Sequence, residues 1–359
     1  MVVSLLLLSC ADAYAMASAE IIQREELDAL FEEYVKENDL NPDLISVAYL
    51  YTPTDETWYH LEDQWYYSAS LDKVPLMMLL TEKEHNGELT RKSEINGMPL
   101  EVIEEEILIN SNNPVAYSTL RYLAQPDECR RMFCRYSDLP EDYYTWDFYG
   151  SSYFTARFMT DVMHTLFWEP ERFPRMIDCM KKAQPDHYFR LKLGEKYEIA
   201  QKYGNYRDEN ETDWNHTTGI IYTPNPFILT VMTRYGGISE TIIGDLATLF
   251  CNYTLRADER LADSKKISDV NGIIETDTDR SLQTAMELKE PEANRPQLGQ
   301  ENTPSDFIPD QSTPEESSHE AQTPLQLTEQ VISRPVLITT CLAVEVFLVL
   351  LLIVLRRWK

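Results

Sequence analysis

The sequence is poor in basic residues, and this shortage excludes one class of partner. Lysine and arginine number 32 among the 359 residues, against 60 aspartates and glutamates, so the formal net charge is −28. A chain this acidic repels the phosphate backbone of nucleic acids. The sequence also lacks a glycine-rich nucleotide-binding loop and any cysteine cluster with metal-ligand spacing. We therefore expect no nucleic-acid partner, no metal and no cofactor.

Cysteine is scarce as well. There are six cysteines, and Cys10 and Cys341 fall within apolar segments at the two ends of the chain. Among the other four, Cys129 and Cys134 are close enough in sequence to pair outside the cell, although isolated buried thiols are the favoured interpretation. The sequence leaves the state of these two thiols open.

The N-terminal apolar run is too short to span a bilayer. It reads VVSLLLLSC over residues 2–10 and is followed by small residues such as Ala13 and Ala15. This order is typical of a secretory signal, and we predict a signal peptide over residues 1–19. Cleavage before a lipidated Cys10, as in lipoproteins, is the alternative.

The C-terminal apolar run is long enough to cross a membrane. Residues 336–355 read VLITTCLAVEVFLVLLLIVL and are followed by the basic sequence RRWK. About 20 apolar residues cross a hydrocarbon core, and a basic flank marks the cytoplasmic side. We predict a single transmembrane helix over 335–355 with a cytoplasmic tail over 356–359, so that the rest of the chain is extracytoplasmic and bound to the cell membrane.

The segment before this helix has almost no material for a core. From Asp258 to Arg334 there are 17 acidic residues, 7 basic residues, 6 prolines and one aromatic residue. Such a composition cannot bury enough apolar area to offset the loss of chain entropy. We predict a disordered acidic stalk over 256–334, which leaves one working domain over 20–255.

The periodicity of that domain is mixed. A helical pattern over 24–38 is followed by two short alternating segments that form a hairpin, a helical block, further strands and a last helix. This order predicts an α+β fold. The segments are helices over 24–38, 74–80, 100–109, 153–167 and 239–254, and strands over 44–52, 57–62, 196–204 and 219–233.

Three short motifs follow one another along the domain. Ser70-Leu71-Asp72-Lys73 precedes an apolar helix, Ser111-Asn112-Asn113 lies between two helices, and Lys202-Tyr203-Gly204 ends a predicted strand. Each motif has a structural explanation when taken alone, because serine often caps helices and asparagine often occupies turns. A second Lys-x-Gly occurs at 192–194, but the strand-like alternation before Gly204 favours the one at 202–204.

Together the three motifs resemble the signature of the class A β-lactamase-like serine hydrolases and penicillin-binding proteins. The resemblance extends over 20–255, and the stretches SLDKVPLMMLL, ILINSNNPVAY and HTTGIIYTPNPFILTVMT support it beyond the bare motifs. It implies a serine β-lactamase/DD-peptidase-like fold, in which an antiparallel sheet is flanked by helices and joined to a helical subdomain.

The resemblance also implies a role for each motif residue. Ser70 is the nucleophile, and Lys73 takes its proton once burial and the second cation, Lys202, have lowered the lysine pKa. Both amines are expected to approach the Ser70 hydroxyl. Ser111 relays a proton to the leaving nitrogen. The remaining roles concern substrate binding and belong to Asn113, Tyr203, Gly204 and Asn205, with the oxyanion hole formed by the backbone N–H groups of Ser70 and Asn205.

Two features depart from the family pattern. No Glu-x-x-Leu-Asn sequence, which supplies the deacylating glutamate, occurs between Asn113 and Lys202; residues 37–41 match it but lie at the end of the first helix. Tyr203 also replaces the usual threonine or serine. Thr217, Thr218 or Arg207 are the candidates to compensate for the lost hydroxyl.

The sequence therefore favours an extracytoplasmic, membrane-anchored serine hydrolase. It is expected to form an acyl-enzyme at Ser70 with β-lactams or D-alanyl cell-wall peptides, and to release it slowly. The alternative is a catalytically degenerate module of the same fold used for binding or scaffolding at the cell surface.

Overall fold

The computed structural model describes residues 21–287. The predicted signal peptide, the transmembrane helix over 335–355, the tail over 356–359 and the later part of the stalk lie outside the described residues. Within the described range, no helix combines the length and the apolar character that crossing a bilayer requires.

Five of the nine strands form one antiparallel sheet, and the other four form two short two-stranded ladders. The strands are β1 (Ile45–Tyr51), β2 (Glu56–His60), β3 (Tyr66–Tyr67), β4 (Glu94–Ile95), β5 (Met98–Pro99), β6 (Tyr153–Phe154), β7 (Ile199–Arg207), β8 (Asp213–Ile221) and β9 (Phe227–Thr233). In the main sheet the order is β2-β1-β9-β8-β7, so the first hairpin and the last three strands are joined through the β1–β9 pair.

The helices pack on both faces of this sheet. They are α1 (Arg24–Glu37), α2 (Lys73–His85), α3 (Leu100–Leu108), α4 (Asn113–Leu123), α5 (Pro126–Phe133), α6 (Trp146–Ser151), α7 (Ala156–Trp168), α8 (Met176–Met180), α9 (Arg190–Leu193) and α10 (Ser239–Glu287). The predicted α+β fold, with an antiparallel sheet flanked by helices and a helical subdomain, is confirmed.

Alternation along the strands divides the core between the two faces. Val47 and Tyr49 of β1 pack with the buried sides of α1 and α10, whereas Ala48 and Leu50 pack with the helical block. Successive side chains of a strand point to opposite faces, so a strand that is apolar at every position is buried on both. The helix α2 is buried from Lys73 to Glu82, and this burial places the Ser-x-x-Lys motif at the centre of the molecule.

The last helix extends past the predicted end of the domain. We expected the domain to end at 255, but α10 continues beyond it. Ala257 is buried, Asp258 accepts a hydrogen bond of 2.8 Å from the Tyr51 hydroxyl, and Arg260 donates to the Ile21 carbonyl at 2.9 Å. The acidic composition of residues 256–334 as a whole does not reveal that Ala257, Asp258 and Arg260 contact the domain.

A chain that ends after residue 255 should therefore unfold at a lower temperature than one that ends after residue 266. The shorter chain loses the buried Ala257 and the hydrogen bonds of Asp258 and Arg260. Hydrogen bonds to charged groups contribute about 1.5–3 kcal/mol each, so we expect a loss of about 3 kcal/mol and a fall in Tm of about 6–12 °C. Thermal unfolding followed by circular dichroism measures this difference, and equal midpoints would show that residues 256–266 contribute nothing to the domain.

The four cysteines within residues 21–287 are free thiols, and the same part of the chain has no metal-binding cluster. Cys129 and Cys134 are free thiols, and Cys129 is buried. Between residues 21 and 287, no three histidine, cysteine or acidic side chains are placed so that they can hold a metal ion.

Candidate active site

Ser70 lies in a tight turn that enters α2 directly. The turn is a 3₁₀ helix over Ala69–Asp72, and Ala69 has a positive φ of 49°, which non-glycine residues rarely adopt. Ser68, which precedes Ala69, is held by Ser152. The Ser152 carbonyl accepts from the Ser68 N–H at 2.8 Å, and the two hydroxyl groups lie 2.8 Å apart. These contacts hold the strained turn that presents Ser70.

A buried histidine supports the same turn from the sheet. His216 on β8 is fully buried, and its Nδ1 accepts from the Thr233 N–H at 3.2 Å. Its Nε2 must then carry the hydrogen and donate to the Tyr67 carbonyl, 2.9 Å away. Burial lowers the pKa of His216 to about 4, so the ring is neutral at physiological pH. Neither His216 nor the Ser68–Ser152 pair was identified from the sequence.

Lys73 makes the central contacts of the site. Its Nζ lies 3.0 Å from the Ser70 Oγ, 3.0 Å from the Ser111 Oγ and 2.6 Å from the Asn113 Oδ1. It also donates to the Ser111 carbonyl at 2.6 Å. The amine therefore links the first two motifs, and it is within reach of the Ser70 proton.

Lys202 joins the site through Ser111 rather than through Ser70. Its Nζ donates to the Ser111 Oγ at 2.9 Å and to the Tyr203 carbonyl at 2.8 Å. Ser111 is thus shared by the two amines, whereas the expected contact of both amines with Ser70 is made by Lys73 alone. The structure brings Ser70, Lys73, Ser111 and Lys202 together in a chain of hydrogen bonds, and their catalytic roles stay predictions.

Both lysines lose protons more readily than an exposed lysine does. Burial lowers the pKa of Lys73 to about 8, although the negative charge of Asp72 raises it in part. The pKa of Lys202 is lowered well below its usual value by burial first and by the positive charge of Lys73 second. Burial, rather than the charge of Lys202, is therefore the main cause at Lys73, and a neutral amine is available beside Ser70 near neutral pH.

Strand β7 runs against the turn that carries Ser70. A Cβ atom on Gly204 would lie 2.7 Å from the Ser70 backbone nitrogen and 3.1 Å from the Ser68 carbonyl oxygen. Only glycine permits this approach of strand β7 to the Ser70 amide. The motif lies inside β7, which continues to Arg207, so the prediction that Gly204 ends the strand is wrong.

Replacing Gly204 with alanine should disturb the turn that holds Ser70. The added methyl group cannot fit without moving the backbone, and overpacking of this kind costs about 1–3 kcal/mol. We expect acylation of Ser70 to slow by about 10- to 100-fold, because a small displacement of reacting groups has an effect of this size. Gly237→Ala is the matched control, since its Cβ would meet nothing within 4 Å. Equal rates of Ser70 acylation in the two variants would refute the close approach of Gly204 to the turn that carries Ser70.

Tyr203 fills the position at which the family has a small hydroxyl residue. Its ring stacks on Tyr188 at a centroid distance of 5.1 Å, and the Lys202 Nζ lies 4.4 Å from the ring centre. Burial raises the pKa of the Tyr203 phenol, and a hydrogen bond with Ser111 lowers it in part. The aromatic ring therefore forms a wall of the site beside the second lysine.

Two of the three candidates proposed to replace the missing hydroxyl lie beside the motif, because Thr217 and Thr218 pair with Tyr203 and Lys202 across strands β7 and β8. Thr217 and Thr218 are fully buried in β8, and the Thr218 hydroxyl lies 2.8 Å from that of Thr230. Arg207 is exposed at the end of β7 and lies 3.7 Å from the carboxylate of Glu211. The Thr217 hydroxyl makes no hydrogen bond, the Thr218 hydroxyl is paired with Thr230 and Arg207 is at the surface, so none of the three contacts the Lys202 amine or the Ser111 hydroxyl.

The competing sequence matches also fall outside the site. Lys192 belongs to α9 and pairs with Asp245 at the surface. Residues 37–41 lie at the C-terminal end of α1, where Asp39 adopts a positive φ of 50°. Neither segment contributes to the environment of Ser70.

Comparisons with known proteins identify the fold. A family model described as "Beta-lactamase enzyme family" matches residues 98–254. A β-lactamase from Burkholderia vietnamiensis superposes with a TM-score of 0.53 and 16% identity, covering 64% of this chain and 96% of that one. This chain has the β-lactamase fold. The predicted resemblance to the β-lactamase family is confirmed.

Two further solved structures resemble this chain to a similar degree. An ancestral class A β-lactamase has a TM-score of 0.51 and 17% identity, covering 64% of this chain and 98% of its own. A mutant of PBP-A, described as an acyl-enzyme complex with penicillin G, has a TM-score of 0.52 and 15% identity, covering 62% of this chain and 95% of its own. No curated protein sequence gives a significant match. At these identities the structural likeness establishes the fold alone.

Proposed function

We propose that this chain is a serine hydrolase that forms an acyl-enzyme at Ser70 with β-lactams or D-alanyl peptides. One observation carries the proposal: an amine whose pKa is lowered to about 8 lies 3.0 Å from the Ser70 hydroxyl. A serine hydroxyl is a weak nucleophile until a base removes its proton. A PBP-A mutant of the same fold, captured with penicillin G, supports this substrate class.

Acylation begins with the transfer of the Ser70 proton to the neutral amine of Lys73. The Ser70 oxygen then attacks the carbonyl carbon of the substrate amide. The negative charge that develops on the carbonyl oxygen is stabilised by backbone N–H groups, for which those of Ser70 and Asn205 are proposed. The close approach of Gly204 to the Ser70 nitrogen supports this pairing.

Departure of the amine requires a proton, and Ser111 is placed to deliver it. Its hydroxyl lies 3.0 Å from Lys73 and 2.9 Å from Lys202, so it bridges the protonated base and the second amine. The proton taken from Ser70 passes from Lys73 through Ser111 to the leaving nitrogen. General acid catalysis of this kind contributes about 100- to 10,000-fold.

Substrate binding is assigned to the rim of the site. Asn113 is exposed, and its Oδ1 accepts from Lys73, which directs its Nδ2 group towards a bound amide. We assign contact with the substrate carboxylate to the Tyr203 hydroxyl. The proposed setting is the outer face of a membrane, because the acidic stalk and the apolar run over 335–355 follow the domain in the sequence.

Exposure of the full-length chain to a fluorescent penicillin tests the proposal. We expect a covalently labelled protein that survives denaturation, and we expect a D-alanyl-D-alanine peptide to compete with the label. Release should be slow, because no Glu-x-x-Leu-Asn glutamate accompanies the motifs. A folded protein that gains no label and hydrolyses no penicillin would instead favour the non-catalytic binding module.

A further inference from the structure

An acylated Ser70 is released only when water attacks the ester carbonyl, and a base must accept a proton from that water. None of the side chains assigned to acylation is a carboxylate. A carboxylate is nevertheless present within the Ser-x-x-Lys motif itself. Asp72 lies between Ser70 and Lys73, at the last position of the 3₁₀ turn Ala69–Asp72.

The Asp72 side chain lines a small cavity beside the site. The cavity has a volume of about 40 Å³, and Lys73 and Asn113 form part of its wall together with Tyr117 and Arg130. A water molecule needs a cavity of at least about 10–15 Å³ and several polar partners. The cavity therefore accommodates water next to the amine that contacts Ser70.

The charges around Asp72 suit a carboxylate that acts on water. Burial raises the pKa of Asp72 above its usual value, and the positive charges of Lys73, Arg130 and Lys202 lower it in part. A raised pKa makes a carboxylate a better proton acceptor near neutral pH. The Lys73 backbone N–H hydrogen-bonds the Asp72 carboxylate, and the same side chain lines the cavity, where it can meet a water molecule.

We propose that Asp72 is the base that activates the hydrolytic water when acylated Ser70 is released. The inference rests on the proposed function. The Asp72 carboxylate takes one proton from water as the water oxygen bonds to the acyl carbon. The bond between that carbon and the Ser70 Oγ then breaks, and the proton held by Asp72 passes to the Ser70 oxygen. The products are the free acid and the regenerated serine.

Replacing Asp72 with asparagine separates release from acylation. Asparagine keeps the shape of the side chain but cannot accept the proton. The full-length chain is acylated with penicillin G, free penicillin is removed, and the acylated fraction is followed by intact-mass spectrometry. We expect Asp72→Asn to form the adduct and to release it about 100-fold more slowly than the wild type. Glu128→Gln is the control for loss of a nearby negative charge, because Glu128 is exposed on the same helix as Arg130, and it should release at the wild-type rate.

The outcomes distinguish this proposal from the proposed function. Release by Asp72→Asn at the wild-type rate overturns the role of Asp72 and leaves the acyl-enzyme intact. Slower acylation with unchanged release also overturns it, because Asp72 would then act only through the pKa of Lys73. If Asp72→Asn does not fold, Asp72→Glu retains a carboxylate at a different reach and should release about tenfold more slowly; an unchanged rate contradicts the proposal. A wild type that gives neither adduct nor hydrolysed penicillin removes both proposals.

Discussion

Replacing Ser70 with alanine should abolish covalent labelling by penicillin, with a loss of at least about 1,000-fold in the acylation rate. In the proposed mechanism the serine oxygen is the atom that bonds to the substrate, and no other residue can take its place without a change in geometry. The Ser111 hydroxyl is also within the site, but it is shared between the amines of Lys73 and Lys202. Gel fluorescence after denaturation measures the label.

Ser118→Ala is the matched control for this experiment. Ser118 lies on α4, and its hydroxyl donates only to the carbonyl of Val115 in its own helix, 3.0 Å away. We expect this variant to label like the wild type. Persistent labelling of Ser70→Ala, mapped to any other residue, would contradict the assignment of the nucleophile.

Replacing Lys73 with methionine should slow acylation by about 100- to 10,000-fold, the range that general base catalysis provides. Methionine fills a similar volume and leaves no charge in the buried site. Lys73→Arg should be similarly slow, because a guanidinium stays protonated and cannot accept the serine proton. Lys83→Met is the control, since Lys83 lies on the same helix but pairs with Glu88 at the surface. Acylation by Lys73→Met at the wild-type rate would show that another group is the base.

The pH dependence of acylation follows from the same amine. The pKa of Lys73 is lowered to about 8, and in the proposed mechanism the neutral form accepts the Ser70 proton. Below that pH the neutral fraction falls tenfold for each unit, so the acylation rate should fall in proportion, and above it the rate should level off. The profile of Lys73→Arg should show no inflection near this pH. A rate that decreases as the pH rises through 8 would mean that the ammonium form is required instead.

Local sequence patterns and the motifs were sufficient to predict the fold and to predict that the three motifs form one site. The apolar character of α2 on every side predicts a helix buried in the centre, and burial is the property that lowers the pKa of Lys73. The resemblance carried by the three motifs predicts that Ser70, Ser111 and Lys202 share one site, and hydrogen bonds through Lys73 link them there, although Lys202 contacts Ser111 and not Ser70. These features depend on spacing within one segment or on segment order, and both are visible in a single sequence.

The supports of the site depend on contacts between distant residues and could not be predicted. Ser68 meets Ser152 across 84 positions, and His216 meets Tyr67 across 149. Each of these side chains is an ordinary serine or histidine in its own segment. The stacking of Tyr203 on Tyr188 is similarly invisible, because it depends on how the segment before β7 folds back.

The acidic residues show the same limit in two places. Asp258 and its neighbours were assigned to the stalk by composition, whereas the structure packs them against β1 through Tyr51. In the sequence, Asp72 occupies one of the two unspecified positions of the Ser-x-x-Lys motif. The structure shows that its side chain lines a cavity. In both cases the location of the carboxylate, rather than its presence, determines what it does.

The most direct measurement is the intact mass of the full-length chain after incubation with penicillin G, followed over hours and combined with peptide mapping. The account predicts a mass increase of one penicillin on the peptide that contains Ser70, formed faster at high pH than at low pH and lost slowly. No adduct and no hydrolysed penicillin between about pH 6 and about pH 10, from a protein that remains folded, would contradict it.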